Sequence, residues 1–155
     1  MRSAQQWLDL YGVSHKNPTN KTIHWICVPV IYWTVLAFVW SVPAAFLGDI
    51  APWLNWAVIT VIVVQLYYFV LSWRLALGML VINIGLLWFT GWLASVSPWP
   101  VWQVALLAFV LAWIGQFIGH KIEGKKPSFF NDLQFLMIGP IWLLADAYRR
   151  LGLRI

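Results

Sequence analysis

The sequence predicts an all-α integral membrane protein: an antiparallel bundle of four transmembrane helices plus a short C-terminal re-entrant or interfacial helical segment. Of the 155 residues, 62% are hydrophobic and only 10% are charged, whereas a soluble domain carries about 25% charged residues. Four apolar stretches each approach or exceed the roughly 20 residues that a membrane-spanning helix needs. The length and the short connections predict one membrane domain, residues 1–155, without a second unit.

The four predicted spans follow one another closely along the chain. They cover residues 23–47, 52–71, 75–94 and 100–119. Connections this short force neighbouring spans to run antiparallel. Pro52 and Pro100 mark predicted helix starts, because the first turn of a helix does not need the missing N–H. A fifth stretch, the half-span 133–147, is too short to cross and is interrupted at Gly139–Pro140, so we expect it to be interfacial, re-entrant or packed against the bundle.

Charge predicts the orientation and excludes some classes of partner. With four crossings and a cytoplasmic N-terminus, all ten lysines and arginines fall on the cytoplasmic side, as the positive-inside rule requires. Both termini and the polar face are therefore predicted to be cytoplasmic. The basic residues are few and scattered, so no nucleic-acid partner is expected. A single cysteine, Cys27, excludes an intramolecular disulfide and a cysteine-based metal cluster.

The three histidines all lie at the predicted cytoplasmic face. His15 precedes the first span, His24 begins it, and His120 ends the fourth. Imidazole groups with open coordination positions suit Fe(II) and zinc, and Glu123 shares a helix face with His120 and can add a carboxylate. Spacing alone leaves three interpretations open: a metal site, interfacial histidines bonded to backbone or lipid headgroups, and a proton relay.

Other polar and small residues are expected to serve the fold. The Gly115 and Gly119 pair predicts a close approach of two helices. Asn83 and Gln65 lie in mid-span and are expected to hydrogen-bond between helices. Apart from these two residues the membrane midplane has almost no polar side chains. This argues against a transporter, because transporters place polar groups near the midplane. Asp146 is expected to form a surface ion pair with the arginines that follow it.

Two sequence blocks carry a specific pattern. The first block runs from Ser14 to Asn20 and on through Ile23-His24-Trp25 to Val28-Pro29, and the second runs from Trp113 to His120 and on through Glu123–Pro127 to Asp132. Together they resemble the signature blocks of the Mpo1-like family. The resemblance covers nearly the whole chain. It implies an Fe(II)-dependent dioxygenase that carries out α-oxidation of 2-hydroxy fatty acids with O₂, shortening them by one carbon, in sphingolipid breakdown.

The resemblance also implies roles for particular residues. It makes His15, His24 and His120 catalytic and metal-binding, with Glu123 as a further candidate ligand. The candidates for substrate binding or ligand support are Lys125, Lys126, Asn17, Gln116 and Asn131. It implies the bacterial cytoplasmic membrane as the location, or the endoplasmic reticulum in a eukaryote. The alternatives are a zinc-dependent lipid hydrolase on the same histidines and a non-enzymatic membrane scaffold or transporter.

Overall fold

The computed structural model describes residues 2–125 and 134–153, and the regular secondary structure of this part of the chain is entirely helical. It contains seven helices. They are α1 (Ala4–Gly12), α2 (Pro18–Trp40), α3 (Ala45–Ile50), α4 (Trp56–Leu71), α5 (Trp73–Val96), α6 (Val101–Glu123) and α7 (Phe135–Arg150). The predicted all-α class is confirmed for the described residues.

Helices α2 and α6 form the most extensive helix pair and run antiparallel along their whole length. Their backbones approach closely at the two glycines of α6. A Cβ added at Gly115 would lie 2.6 Å from the Cys27 sulfur, and one at Gly119 would lie 2.5 Å from Oδ1 of Asn20. The predicted role of these glycines in close helix packing is confirmed. The same packing brings the end of α6 beside the start of α2.

Hydrogen bonds between side chains join α4 and α5 to α2 in the middle of the bundle. Gln65 Nε2 donates to the Ala76 carbonyl at 2.7 Å, and Asn83 Nδ2 donates to Gln65 Oε1 at 3.1 Å. The Tyr32 hydroxyl of α2 donates to Asn83 Oδ1 at 2.8 Å. The expectation that Asn83 and Gln65 hydrogen-bond between helices is therefore confirmed.

Helix α1 was not among the predicted elements. Ser3 caps it through a capping box with Gln6, a signal that the S-x-x-Q pattern carries in the sequence. Its apolar side packs on α7: the ring centroids of Trp7 and Phe135 lie 5.5 Å apart, and those of Tyr11 and Trp142 also 5.5 Å apart. Helix α1 is thus part of the hydrophobic core.

Helix α7 corrects the predicted interruption at Gly139–Pro140, because it continues through both residues. Residues on both sides of the proline are buried against α1 and α2, and this packing offsets the hydrogen bond that an interior proline removes. The Tyr68 hydroxyl also donates to the Met137 carbonyl, 2.9 Å away. The segment does pack against the bundle, and Asp146 forms the expected ion pair, with Arg150 at 2.9 Å.

Two predicted helix boundaries were wrong. The first span ends at Trp40 instead of residue 47, since Pro43 follows closely and disfavours helix before it. Pro52 does not start a helix, because Asn55 caps α4 by accepting from the backbone N–H groups of Ala57 and Val58. Pro100, by contrast, does stand immediately before α6.

Within the described residues, three helices are long and apolar enough to cross a membrane: α2, α5 and α6. Helix α4 is apolar but has 16 residues, which at 1.5 Å per residue span about 24 Å, less than the bilayer core of about 30 Å. The chain therefore has the features of a membrane protein, while the fourth crossing stays a prediction.

Candidate metal centre

Three histidines from separate parts of the chain meet in one buried cluster, which we call the His triad: His15, His24 and His120. Their ring centroids are 4.2 Å (His15–His24), 5.2 Å (His15–His120) and 4.9 Å (His24–His120) apart. Each ring offers a nitrogen within 4.8 Å of those of the other two. Their exposed fractions are 1%, 0% and 4%. The triad is the geometry of a site that can hold one metal ion.

Main-chain carbonyls fix the tautomers of two of the three rings. The Nδ1 atom of His15 lies 2.6 Å from the Tyr11 carbonyl oxygen, and Nδ1 of His24 lies 2.9 Å from that of Asn20. A carbonyl oxygen only accepts, so the proton is on Nδ1 in both rings. Each Nε2 therefore carries a lone pair, and neither Nε2 has a hydrogen-bond partner.

His120 contributes the third unpartnered nitrogen. Its ring forms a hydrogen bond with the backbone of Lys125, and its buried Nδ1 has no partner. A buried polar atom without a partner costs roughly 1–3 kcal/mol, and three of them facing one point are unusual in a protein interior. A cation that prefers nitrogen donors satisfies all three at once, so the donor set fits Fe(II) or zinc.

The protonation state of His15 suits a metal ligand. The pKa of His15 is lowered from its ordinary value to about 4, mainly by burial and to a smaller extent by the nearby His120, while the hydrogen bond to Tyr11 opposes the shift. The ring is therefore neutral at pH 7. Metal binding requires this form, because a protonated imidazole has no lone pair to give.

Aromatic rings of α1 and α7 hold the His15 side chain in place. The Tyr11 ring stacks on His15 with a centroid distance of 4.2 Å and an interplanar angle of 9°. The Trp142 ring lies 5.3 Å away. His15 stands in the short segment between α1 and α2, so these contacts replace the rigidity that a helix gives to His24 and His120.

The Glu123 carboxylate fastens the same segment to the end of α6. It accepts hydrogen bonds from the backbone N–H groups of Lys16 (2.9 Å) and Asn17 (2.8 Å) and from Nδ2 of Asn20 (3.1 Å). Lys125 adds a second link, because its Nζ donates to the Val13 carbonyl at 2.9 Å. We call these contacts the Glu123 clasp. The clasp fixes the position of His15 relative to His120.

A cavity opens beside the triad. Its polar lining comes from Tyr11, Tyr32, His24, His120 and Gln116, and the rest is mostly apolar. Gln116 is buried, and its Oε1 has no hydrogen-bond partner. This oxygen is available to a donor on a ligand that enters the cavity.

The structure separates the predicted site residues into groups. It brings the three histidines together and places Gln116 in the adjoining cavity. Glu123, Asn17 and Lys125 lie nearby but have other partners. Glu123 accepts a hydrogen bond from the backbone N–H of Asn17, and Lys125 donates to the Val13 carbonyl. The Asn17 side chain caps α2. Glu123 is not in the group of ligand atoms that could share a metal ion. Lys126 and Asn131 lie outside the described residues.

Sequence reasoning missed two residues that orient the triad. The Tyr11 carbonyl and ring both contact His15, and Asn20 joins the His24 ring to the Glu123 clasp. Each stands four residues before the histidine whose ring it contacts, which is the spacing of one helical turn. The four-residue spacing is visible in the sequence, but for Tyr11 and His15 it indicates a contact only if helix α1 is predicted.

The comparisons with known proteins identify the family. The chain matches the family described as 2-hydroxy-palmitic acid dioxygenase Mpo1-like over residues 1–151. No curated protein and no solved structure gives a significant match. Since the match extends over almost the entire sequence, the chain belongs to the Mpo1-like family.

Proposed function

We propose that this protein is a non-haem Fe(II)-dependent dioxygenase that performs α-oxidation, converting a 2-hydroxy fatty acid into a fatty acid one carbon shorter. The family description names a 2-hydroxy-palmitic acid dioxygenase. The observation that carries the proposal is the His triad, because three buried ring nitrogens without hydrogen-bond partners form a donor set for a metal.

The reaction balances with O₂ as the sole oxidant. The bond between the carboxyl carbon and the hydroxyl-bearing carbon breaks, and the latter becomes the new carboxyl carbon. The old carboxyl carbon leaves as CO₂ and the remaining oxygen atom ends in water, so four electrons pass from the substrate to O₂. Fe(II) bound at the triad would supply O₂ activation at open coordination positions, which closed-shell side chains do not offer.

The residues around the triad prepare the site for this chemistry. The Tyr11 and Asn20 carbonyls keep the proton on Nδ1 of His15 and His24, which leaves Nε2 free as the ligand atom. The unpartnered Oε1 of Gln116 can accept a hydrogen bond from the substrate hydroxyl. Apolar walls of the cavity limit the entry of water.

Further substrate contacts are proposed at the edge of the site. Lys125 and Lys126 are candidates to attract the substrate carboxylate, because ammonium groups at this depth favour anionic groups. Asn17 and Asn131 are candidates for supporting hydrogen bonds, and Glu123 acts through its clasp on the His15 segment.

The protein is proposed to cross the membrane four times, with α4 as the fourth crossing. Both termini and the His triad then face the cytoplasm, and all ten basic residues lie on that side. The proposed location is a bacterial cytoplasmic membrane, or the endoplasmic reticulum in a eukaryote. In either membrane the substrate reaches the site from the lipid phase.

The experiment is a metal and turnover measurement on protein purified in detergent without O₂, since loosely held Fe(II) oxidises and is lost. We expect about one iron per chain, and conversion of a 2-hydroxy fatty acid to the shortened acid when O₂ is admitted, without added reductant. His120→Ala is expected to lose the iron and more than about 100-fold of the activity, since even outer partners of metal ligands cost 10–100-fold. Equal turnover by the variant and the wild type would refute the assignment.

A zinc-dependent lipid hydrolase is the second candidate, because three neutral imidazole ligands also form a catalytic zinc site. Stoichiometric zinc that supports ester or amide hydrolysis, together with no O₂ consumption after Fe(II) loading, would select this function.

A further inference from the structure

A second, apolar cavity adjoins the cavity beside the triad. It lies between α2, α4 and α7. The two cavities share Ile31, Tyr32 and Leu136 in their walls. The two cavities are therefore neighbours on opposite sides of these residues, and together they extend from the His triad toward the middle of the bundle. We call the pair of cavities the acyl groove.

One face of α2 lines both cavities. The residues of α2 that line the two cavities are His24, Val28, Ile31, Tyr32, Val35 and Leu36. Their spacing of four, three, one, three and one residues is that of a single helix face. From His24 to Leu36 the helix rises about 18 Å at 1.5 Å per residue. An extended hydrocarbon chain advances less than one C–C bond, about 1.5 Å, per carbon, so this length holds more than a dozen carbons.

The lining of the groove beyond the triad suits a hydrocarbon and little else. Apart from Tyr32 and Thr60 its walls are aliphatic side chains and methionine, namely Ile31, Val35, Leu36, Val61, Val64, Leu136 and Met137. The Tyr32 hydroxyl is occupied by its hydrogen bond to Asn83. A ligand with polar groups along its length would lose its hydration there without compensation.

We propose that the alkyl chain of the 2-hydroxy fatty acid lies in the acyl groove, with its carboxyl end at the triad, and that Val64 and Thr60 of α4 limit its length. This inference rests on the proposed function. Since α4 runs antiparallel to α2, Val64 lies closer to the triad than Thr60. The two residues are one helical turn apart, about 6 Å along the axis, or about four carbons of an extended chain.

The test measures turnover of saturated 2-hydroxy fatty acids of increasing chain length. Val64→Trp is expected to lower the activity on the longest substrates at least about 10-fold and to retain the short ones. In Thr60→Trp, the longest substrate that is still turned over is expected to be about four carbons longer than in Val64→Trp. Val63→Trp is the matched control, because the neighbouring Val63 is 61% exposed and does not line the groove. An unchanged length profile in both groove variants, or an equal loss at every length, would overturn the proposal.

A labelling experiment on wild-type protein does not depend on the folding of a variant. A 2-hydroxy fatty acid with a terminal diazirine is photolysed with the metal-free protein, and the labelled residues are mapped. We expect labels on α4 near Thr60 and Val61, suppressed by unlabelled 2-hydroxy fatty acid but not by excess phospholipid. Labels confined to other lipid-facing helices, or equal suppression by phospholipid, would overturn the groove. Absence of turnover in the wild type with groove labelling intact would instead refute the proposed reaction alone.

Discussion

Two buried polar clusters of this protein differ in how completely their hydrogen bonds are formed. In the mid-bundle cluster of Gln65, Asn83 and Tyr32, each side-chain amide is engaged and the tyrosine hydroxyl donates. In the His triad, each ring keeps one buried nitrogen without a partner. Both clusters are enclosed by apolar helices, so burial alone does not separate a structural network from a ligand site. The pairing of the polar atoms does.

The largest predicted effect is the gain in stability when the unpartnered nitrogens of the His triad bind a metal ion. Adding Fe(II) without O₂ at about 100 times its dissociation constant should stabilise the wild type by about 2.7 kcal/mol, because the ion binds only the folded arrangement of the triad. The measurement is the unfolding midpoint with and without the metal. His120→Ala is expected to show no such rise. An equal rise in that variant would mean that the stabilising ion binds elsewhere.

Weakening the Glu123 clasp should affect the triad indirectly. Glu123→Ala removes the acceptor of two hydrogen bonds from the His15 segment and of one from Asn20 of α2. Metal affinity should therefore fall by about 10–100-fold, the usual cost of losing an outer partner of a metal ligand. Competition with a chelator measures the affinity.

Asp146→Ala is the matched control for Glu123→Ala, because Asp146 also forms charged contacts, here in an ion pair with Arg150. Its surface pair contributes little, so metal affinity should not change. A loss in Glu123→Ala as complete as in His120→Ala would make Glu123 a ligand instead of a clasp.

A substitution in the mid-bundle cluster should lower the stability of the protein without changing its metal content, and its effect should be the smallest of those predicted. Asn83→Ala removes the hydrogen bonds that Asn83 forms with Gln65 Oε1 and with the Tyr32 hydroxyl, and we expect a loss of about 1 kcal/mol in the free energy of unfolding. Metal content should stay at the wild-type level. Iron content and stability are measured on the same Asn83→Ala preparation. Loss of iron would show that the two clusters are coupled and would contradict the separation of a structural network from a ligand site.

Much of this architecture could be predicted from the sequence because its determinants are local. Apolar length predicted the long helices, and the Gly115–Gly119 spacing predicted that another helix approaches α6 closely. The structure shows that this helix is α2, and the approach brings His24 and His120 together. The position of His15 could not be derived in this way. It depends on stacking with Tyr11 of α1 and on contact with Trp142 of α7, two helices from opposite ends of the chain.

The fate of Glu123 shows a second limit of sequence reasoning. Its place three residues after His120 was compatible with metal ligation, and only the three-dimensional arrangement of its oxygens reveals that backbone N–H groups occupy them. The interruption expected at Gly139–Pro140 failed for a similar reason. A proline disfavours helix locally, but the burial of α7 against its neighbours outweighs that preference.

The contact between the first and last helices has a consequence for the order of events during synthesis. The three histidines have all been translated before the ribosome reaches α7, yet the Trp142 ring that packs on His15 does not exist at that stage. A nascent chain that ends before Phe135 thus carries all three histidines without the wall that holds one of them. The His triad is therefore completed only once the final helix has been synthesised.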